Sequence, residues 1–209
     1  MTLDDLLSMD KEHVPEAAKM LAENDIKELV GLLEEKEDKL RYPSLLLLQS
    51  RSESADDVYP FFDVFAAKLK SENSYQRSIG LMLMAANARW DSQNKLDAIL
   101  DDYLAGVDDE KPITVRQCIQ ALEQVIPFKT HLLNRIAQKI MQVDIVALRP
   151  TMQKLILLDI LQVLLKIRRI KPSDDIDVYI SDALLGGVLD EKSKKQVSKE
   201  LNKETVDKP

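Results

Sequence analysis

Cysteine, glycine, tryptophan and histidine are scarce in this 209-residue chain, which has one cysteine, 5 glycines, one tryptophan and 2 histidines. A single cysteine, Cys118, excludes a disulfide within the chain and favours a reducing compartment, so we expect a cytoplasmic protein. Its place on an apolar helix face predicts a buried, inert thiol rather than a nucleophile. His13 and His131 lie far apart and match no metal-ligand spacing, so the sequence predicts no metal site, no cofactor and no catalytic cluster.

Long apolar runs and glycine-rich loops are also missing. The most apolar stretch, residues 155–165, is about half the length that a helix needs to cross a bilayer, and Asp159 and Gln162 interrupt it. The first residues lack the basic start and apolar core of a secretory signal. Gly186 and Gly187 are adjacent, but no Lys-Ser or Lys-Thr pair follows them as in a phosphate-binding loop. The sequence therefore predicts no membrane partner and no phosphate loop.

The chain is rich in apolar residues at helical spacing. Apolar residues make up 45% of the sequence and charged residues 31%, a composition typical of a helix-rich globular protein. Stripes such as Ile26, Leu29, Val30 and Leu33 follow the spacing i, i+3, i+4, i+7, and no segment shows a strand pattern. Residues 79–86 carry no charge, so we expect that helix to be covered on both sides. The sequence predicts an all-α protein built from helix pairs.

A basic residue recurs at the same register in the second helix of each predicted pair. Arg41, Arg77, Arg116 and Lys154 are separated by 36, 39 and 38 residues. A period near 40 with two helices per unit is typical of a helical solenoid, because one helix pair cannot cover its own apolar faces but stacked neighbours can. We therefore predict a right-handed α-α superhelix of about four to five helix pairs.

The same segments carry a family resemblance. The strongest match is residues 108–125, DDEKPITVRQCIQALEQV, in which an acidic turn precedes a hydrophobic–Arg pair that opens the second helix. Residues 38–41 repeat this pattern, and residues 75–80 repeat it more loosely. Over roughly residues 24–170 the chain resembles the HEAT-repeat family, within the broader class of armadillo-type superhelices. The resemblance implies that second helices line a concave surface on which partners dock.

These patterns predict one domain and a tail. Residues 1–190 are expected to form a single HEAT-like helical-repeat domain. Residues 191–209 are rich in Lys and Glu and offer only Val197 and Leu201 for apolar contact. We expect this charged C-terminal tail to be a frayed helix or a mobile segment.

The repeated arginines and the small residues that follow them allow specific expectations. The arginines either form a ligand-binding ladder or pair with acidic turn residues of their own or the adjacent repeat; the expected acidic partners are Asp38 and Asp108 or Asp109. Ser44 and Gly80 each lie three residues after a repeated arginine, where a small side chain permits close helix approach.

Charge is distributed unevenly along the chain, whose net charge is −7. Residues 1–40 carry twelve acids and five bases, whereas residues 129–171 carry nine bases and two acids. The candidate partner-binding residues lie in this basic segment: Lys154, Lys166, Arg168 and Arg169. They can meet phosphates or an acidic protein segment. The alternative is a solvated helix end whose positive charge complements the helix dipole.

The leading functional hypothesis is a non-enzymatic helical-repeat scaffold or adaptor that binds a macromolecular partner, most naturally a protein, on its concave surface. The alternative is a DNA-binding or DNA-repair protein related to helical-repeat DNA glycosylases, in which Trp90 and Asp91 hold damaged DNA; few aromatics and a net acidic chain weigh against it. Self-association, between the acidic N-terminal end of one copy and the basic segment of another, is a third possibility.

Overall fold

The computed structural model describes the backbone of residues 3–206 and the side chains of residues 5–202. Helices, turns and short connections make up this range, and no residue within it lies in a β-strand. The predicted all-α class is confirmed. The chain divides into two compact units, Met1–Gly106 and Val107–Pro209. Their boundary falls within the residues predicted to form a single repeat domain, between the two halves of the predicted third helix pair.

The first unit contains eight of the described α-helices, and three of the connections between them contain a short 3₁₀ turn. Their bounds are α1 Leu3–Leu7, α2 Val14–Lys19, α3 Glu23–Leu32, α4 Asp38–Ser52, α5 Phe62–Lys68, α6 Ser74–Ala86, α7 Lys95–Ala98 and α8 Leu100–Leu104. Helices α3 and α4 pack together, as do α5 and α6, and α4 also contacts α6. The predicted helix pairs therefore form here, with their second helices in contact.

Close contact between α5 and α6 depends on Gly80. A Cβ atom at this position would stand 2.6 Å from the backbone oxygen of Phe65 and 3.1 Å from Cβ of Lys68. The neighbouring residues Ile79 and Leu81 are buried, so α6 is covered on both sides, as its uncharged stretch predicts. The expectation that Gly80 permits close helix approach is confirmed.

The segment that follows α6 differs from the sequence prediction. A repeat of helix pairs predicts one helix before the second helix of the third pair, but the structure has two short helices there, α7 and α8. Asn94 adopts a left-handed conformation with φ 53° before α7, and Ile99 leaves helical geometry between the two. Asn tolerates the left-handed region better than most residues, because its short side chain bonds locally.

The second unit is organised around its longest helix. Its α-helices are α9 Pro112–Val125, α10 Leu133–Met141, α11 Pro150–Ile170, α12 Asp174–Leu185 and α13 Glu191–Val206. Helix α11 contacts each of the other four. Its buried residues include Ile156, Ile160, Leu164 and Ile167, whose spacing places them on one helix face. Helix α11 is therefore the centre of this unit's core.

The C-terminal segment contains a helix that packs on the second unit. The predicted charged tail begins with the helix α13, which contacts α11 and α12. Val197 is 5% exposed and Ser193 is 8% exposed, and the Asp190 carboxylate accepts a hydrogen bond from the Ser193 backbone N–H at 2.8 Å. A helix cap and one apolar contact thus join this helix to the unit, and the expectation that it frays or moves stays a prediction.

Candidate functional site

Polar side chains of α9 and α11 line open depressions in the second unit. On α9 the positions 116, 120, 123 and 124 share one helix face, and on α11 the positions 159, 162, 166 and 169 do the same. One depression, of about 440 Å³, is lined by Gln120, Glu123, Gln124, Asp159, Gln162 and Lys166. We call the polar residues Gln120, Glu123, Gln124, Gln162, Lys166 and Arg169 the second-helix surface.

An ion pair between the two helices forms the floor of this surface. The Arg116 Nε donates to Asp159 Oδ2 at 2.6 Å and its Nη2 donates to Asp159 Oδ1 at 3.2 Å. The Gln120 amide donates to the same carboxylate at 2.9 Å. Hydrogen bonding to Asp159 raises the pKa of the Arg116 guanidinium. Because Asp159 is only 9% exposed, this network fixes the register of α9 against α11.

The outer part of the surface is open to solvent. Gln120, Gln124 and Gln162 are exposed, and Lys166 forms an ion pair with Glu123 across the helices. A glutamine side chain offers both a carbonyl acceptor and two N–H donors, the groups that pair with a peptide backbone. The depressions therefore present neutral hydrogen-bonding groups around a fixed charged floor.

The four candidate partner-binding residues do not form one cluster. Lys166 and Arg169 line a depression of about 470 Å³ with residues of α13. Lys154 pairs with Asp190 at 2.8 Å and Arg169 with Glu200 at 3.2 Å. Arg168 pairs instead with Asp177 of α12. Each of the four cations thus has a carboxylate partner, which weakens the case for a phosphate-binding run.

The contribution of α9 to this site was not predicted from the sequence. Arg116 was assigned Asp108 or Asp109 as its partner, but it binds Asp159; Asp108 pairs with Lys139 at 2.5 Å. The available signal was the polar spacing of Arg116, Gln120 and Glu123, which follows i, i+4, i+7 on an otherwise apolar helix. The partner lies 43 residues away, and nothing local in the sequence identifies it.

The other two repeated arginines support turns. Arg41 pairs with Asp38 at 2.8 Å, as expected, and also donates to the Glu35 carbonyl at 3.2 Å. Arg77 donates to the carbonyls of Ser71 and Glu72 at 2.9 and 3.0 Å, in the turn between α5 and α6. Both arginines therefore satisfy backbone acceptors where a helix pair reverses direction.

Trp90 and Asp91 hold the first unit together. The Trp90 indole N–H donates to the Ser52 carbonyl at 2.7 Å. Asp91 is 5% exposed and accepts from the Tyr59 hydroxyl at 2.8 Å and from the Lys95 backbone N–H at 2.8 Å. Burial, followed by the hydrogen bond to Asp91, raises the pKa of Tyr59 to about 12. This carboxylate caps a helix and is not open to a nucleic acid.

A separate depression of about 580 Å³ in the first unit has a buried lysine at its edge. Lys68 is 5% exposed; its ammonium group donates to Gln76 Oε1 at 2.6 Å and pairs with Glu34. The Gln76 amide donates in turn to the Leu33 carbonyl at 2.7 Å. This network of contacts joins the end of α3 to α5 and α6. It supplies partners for the buried Lys68 ammonium group, so we assign Lys68 a structural role.

The remaining candidate groups carry little chemistry. Cys118 is buried, and burial, reinforced by the charges of Asp109 and Asp108, raises the pKa of its thiol. Within residues 3–206 no three His, Cys, Asp or Glu side chains gather as metal ligands would. None of the helices described is long and apolar enough to cross a membrane.

Comparison with known proteins gives no relative: no family model, curated protein or solved structure matches this chain.

Proposed function

We propose that this chain is a non-enzymatic helical-repeat adaptor of the HEAT-like type, working in the cytosol, which binds a protein partner on the second-helix surface. The observation that carries the proposal is the exposed row of glutamines on α9 and α11, which lies over the Arg116–Asp159 ion pair. The helices that carry these amides are already held in register, so binding a partner backbone has to order only the side chains themselves, at about 0.5–1.5 kcal/mol each.

The arrangement suits a protein partner better than a small molecule or a nucleic acid. The depressions are open, and their charged members are already paired within the chain. Aromatic side chains that would stack on bases are absent from the residues lining them. The superhelical arrangement of the repeats belongs to the same proposal, and its support is the period of the repeated basic residues together with the packing of second helix on second helix within each unit.

The test compares the capture of a partner protein by the full chain with its capture by two matched variants. Gln124→Arg combined with Gln162→Arg adds bulk and charge to the depression while touching no hydrogen bond of the unit. The control is Gln138→Arg combined with Gln142→Arg, at exposed positions of α10 and the turn after it. We expect a stoichiometric partner on the unaltered chain and on the control, and at least a tenfold loss of affinity for the depression variant. Equal binding by both variants would contradict the proposed surface.

A further inference from the structure

Helix α13 presents one narrow stripe to its unit. Asp190, Ser193, Val197 and Glu200 follow the spacing i, i+3, i+7, i+10, so they lie on one side of the helix and its cap. Val197 and Ser193 are the buried residues of this stripe. The opposite side is polar and exposed; it carries Lys192, Lys195 and Lys199.

Ion pairs join the stripe to α11 at both ends. Lys154, near the start of α11, pairs with Asp190 at the start of α13. Arg169, near the end of α11, pairs with Glu200 towards the end of α13. The two helices therefore run parallel. The side chains of Lys154 and Arg169 are 42% and 43% exposed, and ion pairs this open to water contribute little to stability.

The surface between the two helices is partly open. A depression of about 470 Å³ borders Leu155, Leu158 and Leu165 of α11, Val197 and Glu200 of α13, and Arg116 of α9, so side chains do not fill this part of the contact as they fill a protein core. Val197 and Ser193 are buried, two exposed ion pairs reach α11, and α13 also contacts α12. A helix with so few buried apolar residues belongs to the elements that open most readily.

We infer that the face of α11 under α13 is a docking site for a helix that presents a carboxylate, an apolar residue and a second carboxylate on one side, and that α13 is its built-in occupant. A partner helix of this chemistry displaces α13 and takes over its contacts with Lys154, the leucines and Arg169. This inference rests on the proposed function, because the site adjoins the second-helix surface through Lys166 and Arg169.

The charge spacing explains how a partner can compete with a segment that is covalently attached. The cations Lys154 and Arg169 stand fifteen positions apart, about 22 Å along a helix at 1.5 Å per residue, whereas Asp190 and Glu200 stand ten positions apart, about 15 Å. The carboxylates of α13 are thus spaced more closely than the cations that they meet. A partner helix whose carboxylates are spaced by about four turns would match the spacing of the cations more closely.

The experiment uses a fluorescent peptide that spans residues 188–206 and measures its binding to full-length chains by anisotropy. In Val197→Asp combined with Glu200→Ala, the attached α13 loses its apolar contact and one ion pair. We expect this chain to bind the peptide at least tenfold more tightly than the unaltered chain, in which α13 occupies the site. Lys195→Ala, on the exposed side of α13, is the control and should leave peptide affinity unchanged.

Hydrogen exchange on the same chains shows whether α13 has left the surface while α11 stays protected. A milder chain, Asp190→Ala combined with Glu200→Ala, keeps Val197 and should give an increase of roughly threefold. Adding Arg169→Glu to the undocked chain should abolish peptide binding, and a peptide with Glu200→Arg should restore part of it. Exchange that shows α13 released without tighter peptide binding would overturn the inference. The adaptor proposal would still be tested separately by the partner-capture experiment, which does not use the peptide.

Discussion

The two units use similar polar side chains for different purposes. In the first unit, the side chains of Arg51, Arg77, Gln76 and Trp90 donate to backbone carbonyls of neighbouring helices and turns. In the second unit the main polar contacts join side chain to side chain on the faces of α9, α11, α12 and α13. A carbonyl contact fixes the course of the chain, and a half-buried pair such as Arg116–Asp159 fixes the register of two helices, whereas an ion pair open to solvent, such as Lys154–Asp190, can be exchanged for another.

Arg77 and Arg116 show this difference most directly, since they occupy the same register of the predicted repeat. Arg77 is held in a turn by two carbonyls, and Arg116 reaches across to a neighbouring second helix. A repeated residue therefore identifies an equivalent position but not an equivalent role. The unit with exchangeable contacts is the one in which we place the docking surface.

The largest expected effect tests the packing of the first unit. Gly80→Ala places a methyl group 2.6 Å from the Phe65 carbonyl oxygen, and because that oxygen belongs to the backbone, α5 and α6 must move apart. We expect a loss of about 3 kcal/mol in the free energy of unfolding, at the upper end of overpacking costs. Denaturant unfolding followed by Trp90 fluorescence reports on this unit.

Gly31→Ala is the matched control for that variant. Gly31 lies in α3, and a Cβ atom there meets nothing within 4 Å. Alanine at this helical position should be neutral or stabilising by up to about 1 kcal/mol, because glycine loses more backbone entropy on folding. If Gly80→Ala and Gly31→Ala destabilise the chain equally, the close approach of α5 and α6 does not depend on Gly80.

Much of the fold followed from the sequence, because it depends on local patterns. The stripe of Ile26, Leu29 and Val30, the close approach at Gly80 and the Arg41–Asp38 pair are all encoded within one or two helices. The division of the segment after Asn94 into two short helices was not predicted. A single residue in the left-handed region leaves no periodic signal in the sequence.

The candidate site was harder to predict, because it depends on which helices face each other. The spacing of Asp159, Gln162, Lys166 and Arg169 in the sequence places them on one line along α11. The partners of these residues on α9 and α13 were not predicted, since they are set by the register between helices that are distant in sequence. Docking of α13 was also missed, because a lone Val197 between lysines gives almost no amphipathic pattern.

The second prediction tests the charged floor of the second unit. Asp159→Ala removes three hydrogen bonds and leaves the Arg116 guanidinium, whose side chain is 26% exposed, without its carboxylate. We expect a loss of about 2 kcal/mol, as for hydrogen bonds to charged groups. Labelling of the buried Cys118 thiol during denaturant titration reports on this unit, since burial keeps that thiol unreactive until the unit opens.

A double-mutant cycle with Arg116→Met isolates the pair itself. The double variant should cost less than the sum of the two single ones, because neither charge is then left without its partner. Gln162→Ala, at an exposed neighbouring position, serves as the control and should change stability by less than about 0.5 kcal/mol. Additive losses in the cycle would contradict an energetic link between α9 and α11 at this pair.

The third prediction concerns Arg77, which should matter less than Asp159. Arg77→Met retains most of the apolar stem but removes the donors to Ser71 and Glu72, so we expect a loss of about 1 kcal/mol in the Trp90 transition. Lys70→Met, in the same turn but exposed, should have no measurable effect. A larger loss at Arg77 than at Asp159 would reverse the comparison between the units.

The smallest effect concerns pH and the seating of α13. Hydrogen bonds from Lys154 and from Ser193 lower the pKa of Asp190 below its ordinary value of 3.8. Only the Lys154 contact depends on docking, since the Ser193 bond lies within the start of α13. The part of the lowering that comes from Lys154 therefore favours docking above about pH 4 and is lost as the pH falls through the docked-state pKa. An NMR titration of the Asp190 carboxyl group should therefore show a midpoint below 3.8.

Lys154→Met should raise the Asp190 midpoint towards its ordinary value but not all the way, since the Ser193 N–H remains. Lys192→Met changes an exposed lysine of α13 and should leave the Asp190 midpoint unchanged. The two variants carry the same change in net charge, so a difference between them measures the specific contact and not the general field of the protein. An equal shift of the Asp190 midpoint in both variants would mean that Lys154 acts only as a distant charge. The Lys154–Asp190 ion pair would then not contribute to the docking of α13.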